Sequence, residues 1–227
     1  MRLEERYKNN KRSRFQQAQT KQFLKLLDKQ YDQVLEVGCG KGYWSYVGCK
    51  HKLFKNCYGS DIYDDWQIKE LRKYCQQAEY KKINDEILPY ETNRFDLVFS
   101  MDVVEHIKDD VWFIKEHLRV CKKGGEIIIG TPNYWRITNI LLMLIGKLKY
   151  PRNMGPDSYG DCIHLREYKM KELVKKTAEA SDGKLASEAI KVYPCWIGIL
   201  MLSWGIEKFP AIFNNFCHFF FIKFTKN

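Results

Sequence analysis

The segment VLEVGCGKG, Val34–Gly42, restricts the fold more than any other part of the chain. Val34–Val37 reads as a short buried strand. Three glycines then alternate with other residues, Gly38, Gly40 and Gly42, and a helix pattern begins near Tyr43. Strand, glycine turn and helix in succession open a layered α/β architecture. Glycine loses more conformational freedom on folding than any other residue. Three in one turn therefore imply that a ligand must reach the backbone where a Cβ would intrude.

The rest of the chain repeats the alternation. Cys57–Asp61 reads as a second strand, Asp64–Gln76 as polar with helical spacing, and Phe95–Ser100 as a third strand. Asp109–Cys121 is amphipathic, with Val111, Ile114, Leu118 and Cys121 on one face. Gly124-Gly125 reads as its C-cap, and Glu126–Gly130 as a fourth strand. This pattern predicts a doubly wound, mostly parallel sheet covered on both faces, a three-layer sandwich. After Pro132 it changes. Ile137–Leu148 is an apolar helix candidate and Tyr150–Asp161, rich in Pro, Gly and Asp, reads as loop. Glu167–Ala180 reads as helix and Ala186–Tyr193 as strand. Trp196–Ile206 and Phe209–Phe224 are strongly apolar, and neither reaches the roughly 20 apolar residues of a membrane span.

The 227 residues predict one domain, residues 31–227, with apolar insertions near 134–160 and 195–210, preceded by a basic helical arm, residues 1–30. The arm holds nine Lys or Arg and three Asp or Glu, so +6 of the formal +10 charge sits there. Such an arm suits an anionic partner or a solvated helix face. The eight cysteines form no CxxC pair and read as reduced thiols. With a charged N-terminus and no apolar segment behind it, a cytoplasmic location is expected.

The glycine spacing selects the ligand. A dinucleotide turn reads GxGxxG and faces a pyrophosphate. Here the spacing is GxGxG and Glu36 stands two residues ahead of it. A carboxylate there disfavours pyrophosphate and suits a cationic ligand such as S-adenosylmethionine, which carries a sulfonium and an ammonium group. Asp61, 21 residues after Gly40, stands where an acidic residue accepts hydrogen bonds from a ribose diol.

These residues resemble the class I S-adenosylmethionine-dependent methyltransferases. The matching pieces are VLEVGCGKG (34–42), YGSDI (58–62), LPYETNRFDLVFSMDVVEHI (88–107), LRVCKKGGEIIIGTPN (118–133) and HLREYKMKELVKKT (164–177). The resemblance implies a Rossmann-like seven-stranded sheet with an antiparallel last strand, for which Phe219–Phe224 is available. It implies that Glu36, Gly38, Cys39 and Gly40 line the methionine end, that Asp61 holds the ribose and that Ile62 flanks the adenine. An acidic partner for the adenine amino group falls at Asn84 or Asp85, and Met101 passes near the cofactor. TPN followed by an apolar helix and HLREY resembles a branch with ubiquinone-pathway O-methyltransferases and enzymes that methylate sugars or lipids of cell-surface polymers.

No covalent nucleophile is required, because displacement at a sulfonium methyl needs approach geometry and a dry site. An oxygen acceptor gains from a base or a metal. Asp102, Glu105 and His106 recur at i, i+3, i+4, and in a helical turn they face one point. Acid–base work by His106 or His164 is the catalytic expectation. By resemblance to metal-dependent relatives, including RNA 2′-O-methyltransferases, these three and His164 are the less favoured alternative, a divalent-metal (Mg) set, and in metal-free relatives a similar Glu-His pair only shapes the loop. Tyr134 and Trp135 are placed to wall an acceptor pocket, and Ile137–Leu148 with Trp196–Ile206 to cover a lipid-linked acceptor or meet a membrane surface. Methylation of a small-molecule, sugar or lipid-linked acceptor is the leading expectation. RNA methylation, a nucleic-acid partner and a non-catalytic cofactor-binding scaffold remain rivals.

Overall fold

The computed structural model of the chain describes residues 3–10, 14–63, 68–83, 87–157, 160–196 and 211–227. Among them run nine strands: β1 (Tyr31–Val37), β2 (Phe54–Asp61), β3 (Gln77–Lys82), β4 (Phe95–Met101), β5 (Cys121–Pro132), β6 (Arg152–Asp157), β7 (Gly160–His164), β8 (Lys191–Cys195) and β9 (Phe219–Thr225). The helices are α1 (Leu3–Asn10), α2 (Arg14–Leu26), α3 (Tyr43–Lys50), α4 (Ile68–Leu71), α5 (Asp110–Val120), α6 (Ile137–Leu144) and α7 (Met170–Ala180).

Seven strands form one sheet in the order β3-β2-β1-β4-β5-β9-β8. Neighbours from β3 to β5 pair in parallel, and β9 is antiparallel to both of its neighbours. The order of connection reverses between β1 and β4. Ligands of open α/β sheets sit outside the carboxyl ends of the strands at such a point.

The sheet is apolar on both faces, so alternate residues of one strand serve different cores. Val34, Leu97, Phe99, Ile128, Phe219 and Phe221 join residues of α1, α2 and α3 on one side. Leu35, Val98, Ile127, Ile129, Phe220 and Ile222 join residues of α5 and α7 on the other. This explains the run Phe219-Phe220-Phe221, in which each ring is fully buried on one face or the other. The basic segment 1–30 contributes to the first of these cores. Phe23 of α2 is 5.3 Å from Trp44 and 5.2 Å from Phe99, ring centre to ring centre. Leu3 and Glu4 donate their backbone N–H groups to the Glu70 carboxylate at 2.8 and 3.0 Å, which closes the electropositive N-terminus of α1 with an anion.

The structure departs from the sequence expectations in several places. Tyr150–Asp161 is not loop: most of it lies in an antiparallel hairpin, β6 with β7. Proline and glycine disfavour a central strand, but a two-stranded ribbon has two outer edges with no ladder to interrupt. Gly124-Gly125 does not cap α5, which ends at Val120 and passes directly into extended Cys121. The two glycines lie inside β5. A Cβ on Gly125 would stand 2.7 Å from Cys121 Sγ and 2.9 Å from the Lys122 carbonyl oxygen. Only Ile68–Leu71 of the stretch Asp64–Gln76 is helical in the described residues, and β3 follows it. Residues 197–206 of the apolar segment Trp196–Ile206 lie outside the described residues, as do Asn84 and Asp85.

Candidate functional site

At the carboxyl end of β1 the chain needs positive φ at three alternate positions: +69° at Gly38, +47° at Gly40 and +82° at Gly42. This is the left-handed region that other residues enter at a cost. The turn is tied to β2, since the N–H groups of Gly38 and Cys39 both donate to the Ser60 carbonyl, at 2.7 and 3.2 Å. Gly40 donates its N–H to Asp61 Oδ2 at 2.7 Å, and Tyr63 donates to Oδ1 at 3.0 Å. A carboxylate oxygen has two lone pairs, so Asp61 keeps acceptor capacity for a diol while it fixes the turn. Ile62, next to it, is 57% exposed.

Glu36 is buried at 2% exposure and accepts from the N–H of Ser45 at 2.9 Å and its hydroxyl at 2.5 Å. Its charge holds the first turn of α3 against the glycine turn. Burial, with the Glu36 and Asp61 carboxylates close by, pushes the Cys39 thiol well above its ordinary range, so Cys39 stays a neutral thiol. Met101 is buried at the end of β4 with its sulfur against Gly130, where a Cβ would come within 2.6 Å.

The chain after β4 closes the other side of the crevice. A Cβ on Gly38 would lie 2.3 Å from a methyl of Val103. The loop that carries Asp102, Glu105 and His106 is therefore packed directly on the glycine turn. Val104–His106 forms one 3₁₀ turn, and Asp102 precedes it at φ +56° with an exposed side chain. Of the four expected ligands, three come together. One ligand atom from each of Glu105, His106 and His164 lies within 4.8 Å of the others. Asp102 stands outside that trio.

His164 arrives from β7, which meets the 3₁₀ turn where the Leu165 N–H donates to the Glu105 carbonyl at 3.0 Å. The two imidazoles are 4.8 Å apart, edge to face. His106 Nδ1 donates to the Ile163 carbonyl at 2.7 Å, and His164 Nδ1 to Glu167 Oε1 at 3.0 Å. With Nδ1 protonated in each ring, the lone pair of the neutral form sits on Nε2. Glu105 is fully buried. One of its oxygens accepts from the Thr131 hydroxyl at 2.9 Å, and the other has no hydrogen-bond partner. Burial and the nearby Asp102 carboxylate push its carboxyl well above the usual range.

Sequence reasoning missed the group behind His164. Glu167 is 5% exposed and gathers Arg136 in a bidentate pair, Asn139 at 2.8 Å and Arg152 at 3.3 Å, besides His164. Burial opposes the charge, but the His164, Arg136 and Asn139 hydrogen bonds hold its carboxyl down at about 2. Only the His164–Glu167 spacing of three was visible in the sequence. The other partners lie some 30 residues upstream on α6 and its entry, or on β6.

These contacts turn α6 inside out. Its buried residue is the polar Asn139, while Leu141, Leu144 and Ile145 are 46%, 77% and 62% exposed. Tyr134 and Trp135 precede it with ring centres 5.8 Å apart, and the Lys169 ammonium lies 5.0 Å from the Trp135 ring centre. Among the described residues no helix is long and apolar enough to cross a membrane.

Residues 35–129 match a family described as a methyltransferase domain. A protein of Mycolicibacterium smegmatis, described as a probable S-adenosylmethionine-dependent methyltransferase, is 32% identical over 105 residues, 46% of this chain and 39% of its own length. A ubiquinone biosynthesis O-methyltransferase of Coxiella burnetii is 30% identical over 141 residues, 59% of this chain and 58% of its own length. The chain thus spans less than two thirds of either relative. A crystal structure from Thermotoga maritima, described as a S-adenosylmethionine-dependent methyltransferase and possible histamine N-methyltransferase, superimposes with a TM-score of 0.63 at 20% identity. The overlap covers 99% of this chain and 98% of that one.

Proposed function

We propose that this chain, whose residues 35–129 match a methyltransferase domain and whose fold matches that of an S-adenosylmethionine-dependent methyltransferase, is itself such an enzyme and methylates a hydroxyl group of an apolar, lipid-like acceptor. The observation that carries this reading is the pair of imidazoles beside the glycine turn, each with its Nδ1 proton committed to a protein oxygen.

When bound, S-adenosylmethionine supplies a methyl group on a sulfonium centre, open to in-line displacement. The residues present fit it. The glycine turn leaves out the side chains that would fill the cradle, and Asp61 offers lone pairs beside the exposed Ile62. No thiol is available as a competing nucleophile in the turn, because Cys39 is neutral and buried.

The acceptor hydroxyl must lose its proton as its oxygen attacks. Nε2 of His106 or His164 takes that proton, and the Ile163 carbonyl and the Glu167 carboxylate stabilise the imidazolium formed. Such general-base assistance is worth roughly 10²–10⁴ in rate. Glu105, His106 and His164 also fit a divalent cation, by the orphaned buried carboxylate oxygen and the bonds from each Nδ1 to the Ile163 carbonyl or the Glu167 carboxylate that orient the rings. A cation held there would lower the hydroxyl pKa in place of a base. Tied to this site through Asn139 and Glu167, α6 and its end turn Leu141, Leu144 and Ile145 outward, an apolar face suited to a prenyl or acyl tail. The relative named for ubiquinone biosynthesis supports oxygen as the methylated atom.

The test measures S-adenosylhomocysteine released with a prenylated phenol, a polyprenyl-linked sugar and a short RNA. The prenylated phenol or the polyprenyl-linked sugar is expected to turn over. His106→Ala and His164→Ala are expected to lower kcat by about 10² or more while cofactor affinity holds within about twofold. Turnover of RNA alone, or unchanged kcat in both variants, overturns the reading. Full activity after exhaustive chelation assigns the proton to the imidazoles alone.

A further inference from the structure

Three thiols meet near the C-terminal end of α3, the helix that follows the cofactor turn. Cys49 lies in the last turn of α3, Cys57 lies in β2 and Cys75 stands just before β3. Their sulfurs lie within 4.8 Å of one another, and the Cys49 and Cys57 sulfurs are 3.1 Å apart and unbonded. Cys49 and Cys57 are 1% and 0% exposed, whereas Cys75 is half-buried. Cys75 lines a surface pocket of about 360 Å³ together with Gln30, Lys52, Lys55, Tyr74 and Gln76.

A half-buried cysteine thus sits at the wall of a pocket edged by lysines, with two further sulfurs within 4.8 Å of its own. We propose that this is a thiol–disulfide exchange site, in which Cys75 attacks a small anionic disulfide drawn in by Lys52 and Lys55 and the buried thiols resolve the product.

The local chemistry supports attack at Cys75. Its thiol is drawn well below the ordinary range by S–H donation from Cys49 and Cys57, with the Arg72 guanidinium adding to the effect. Cys57 moves the other way, well above its ordinary range, through burial. A half-buried cysteine, whose Sγ donates to the Leu71 carbonyl at 3.3 Å, backed by two buried thiols is the arrangement of an attacking cysteine with resolving partners. Lys55 pairs with Asp32 at 3.0 Å, and Lys52 keeps the pocket edge net positive, which favours an anionic disulfide over a free cation.

The steps balance. The Cys75 thiolate forms a bond to one sulfur of the disulfide, the old sulfur–sulfur bond breaks, and a small thiolate leaves. Cys49 or Cys57 then gives its proton to that thiolate, attacks Cys75 Sγ and expels the second small thiolate, which takes a proton from solvent. Two protein thiols are oxidised by two electrons, and the small disulfide is reduced to two thiols.

The probe is glutathione disulfide at pH 6, where an ordinary cysteine is almost wholly protonated. Mass mapping of the folded protein is expected to find a disulfide from Cys75 to Cys49 or Cys57, formed at least about tenfold faster than in the urea-unfolded chain. Cys75→Ser is expected not to react at the pocket, and the double variant Cys49→Ser, Cys57→Ser to stop at a glutathione adduct on Cys75. Lys52→Glu with Lys55→Glu should slow glutathione disulfide but not the neutral hydroxyethyl disulfide. Circular dichroism confirms that each variant is folded. The proposal is overturned if Cys75 reacts no faster than in the unfolded chain or no faster than the other cysteines. It is also overturned if the buried pair oxidises equally well in Cys75→Ser, or if the purified protein holds a stoichiometric soft metal at the three sulfurs and resists the disulfide.

Discussion

At residue scale the account rests on a few backbone positions. Gly38 has φ +69° and a Val103 methyl where its Cβ would be. Gly38→Ala is expected to lower stability by about 2–4 kcal/mol, from left-handed strain plus overpacking, and to weaken cofactor binding by moving the His106 loop. Urea unfolding and calorimetry measure the two effects. Asp61→Ala leaves the Gly40 and Tyr63 N–H groups without their acceptor. It is expected to lose on the order of 1–3 kcal/mol of cofactor affinity, and unchanged affinity would show that Asp61 only shapes the turn. These residues were legible because the turn, the acidic residue after it and the Glu105-His106 pair are spaced along short stretches of sequence. Asn139, Arg136 and Glu167 were not, because their chemistry appears only when segments about 30 residues apart meet. The same holds for the thiol trio, whose spacing matches no ligand motif and which forms where a helix end, a strand and a loop converge.

At the scale of elements, α6 shows how an apolar run can mislead. Ile137–Leu148 read as a helix able to cover an acceptor, and a helix is present over Ile137–Leu144. Periodicity alone did not reveal that Asn139 faces inward and Leu141 and Leu144 outward, since the hydrophobic effect acting alone would predict the reverse. The Glu167 cluster overrides it by supplying partners for Asn139. Leu144→Glu with Ile145→Glu should leave thermal stability nearly unchanged, because both side chains are exposed. It should raise KM for a prenylated acceptor while KM for the cofactor stays constant. Equal KM values for the acceptor in both proteins would remove α6 from the acceptor site. The β6–β7 hairpin escaped the sequence reading for a related reason: its residues suit turns, and its pairing is that of an isolated ribbon.

At the scale of the whole molecule, the alternation of strands and helices was enough to place most of the sheet, and β9 fills the antiparallel position. β3 was missed because QAEYKK is an edge strand with mostly half-buried or exposed side chains, so its pattern resembles a polar loop. The α5 face of the sheet also carries an acid-sensitive point. His117 is fully buried, donates from Nδ1 to the Phe113 carbonyl at 2.8 Å, and burial lowers its pKa from 6.5 to about 4. Its folded pKa is depressed, so the unfolded chain takes up the proton first. The related stability is present above pH 6.5 and is lost as pH falls to about 4, an effect of about 3 kcal/mol. His117→Gln is expected to flatten the unfolding free energy over that interval, as read by urea melts at several pH values. An equally steep decline in the variant would place the acid sensitivity elsewhere.

The central claim is that the Gly38–Gly42 turn and Asp61 together hold a sulfonium nucleoside beside the two imidazoles. Isothermal titration of the purified chain with S-adenosylmethionine and with S-adenosylhomocysteine tests it most directly, with Gly40→Val as the control. One equivalent of each ligand should bind the native chain at micromolar concentration, and neither should bind the variant. Absence of binding to the native chain up to millimolar ligand, or equal binding to Gly40→Val, would contradict the account.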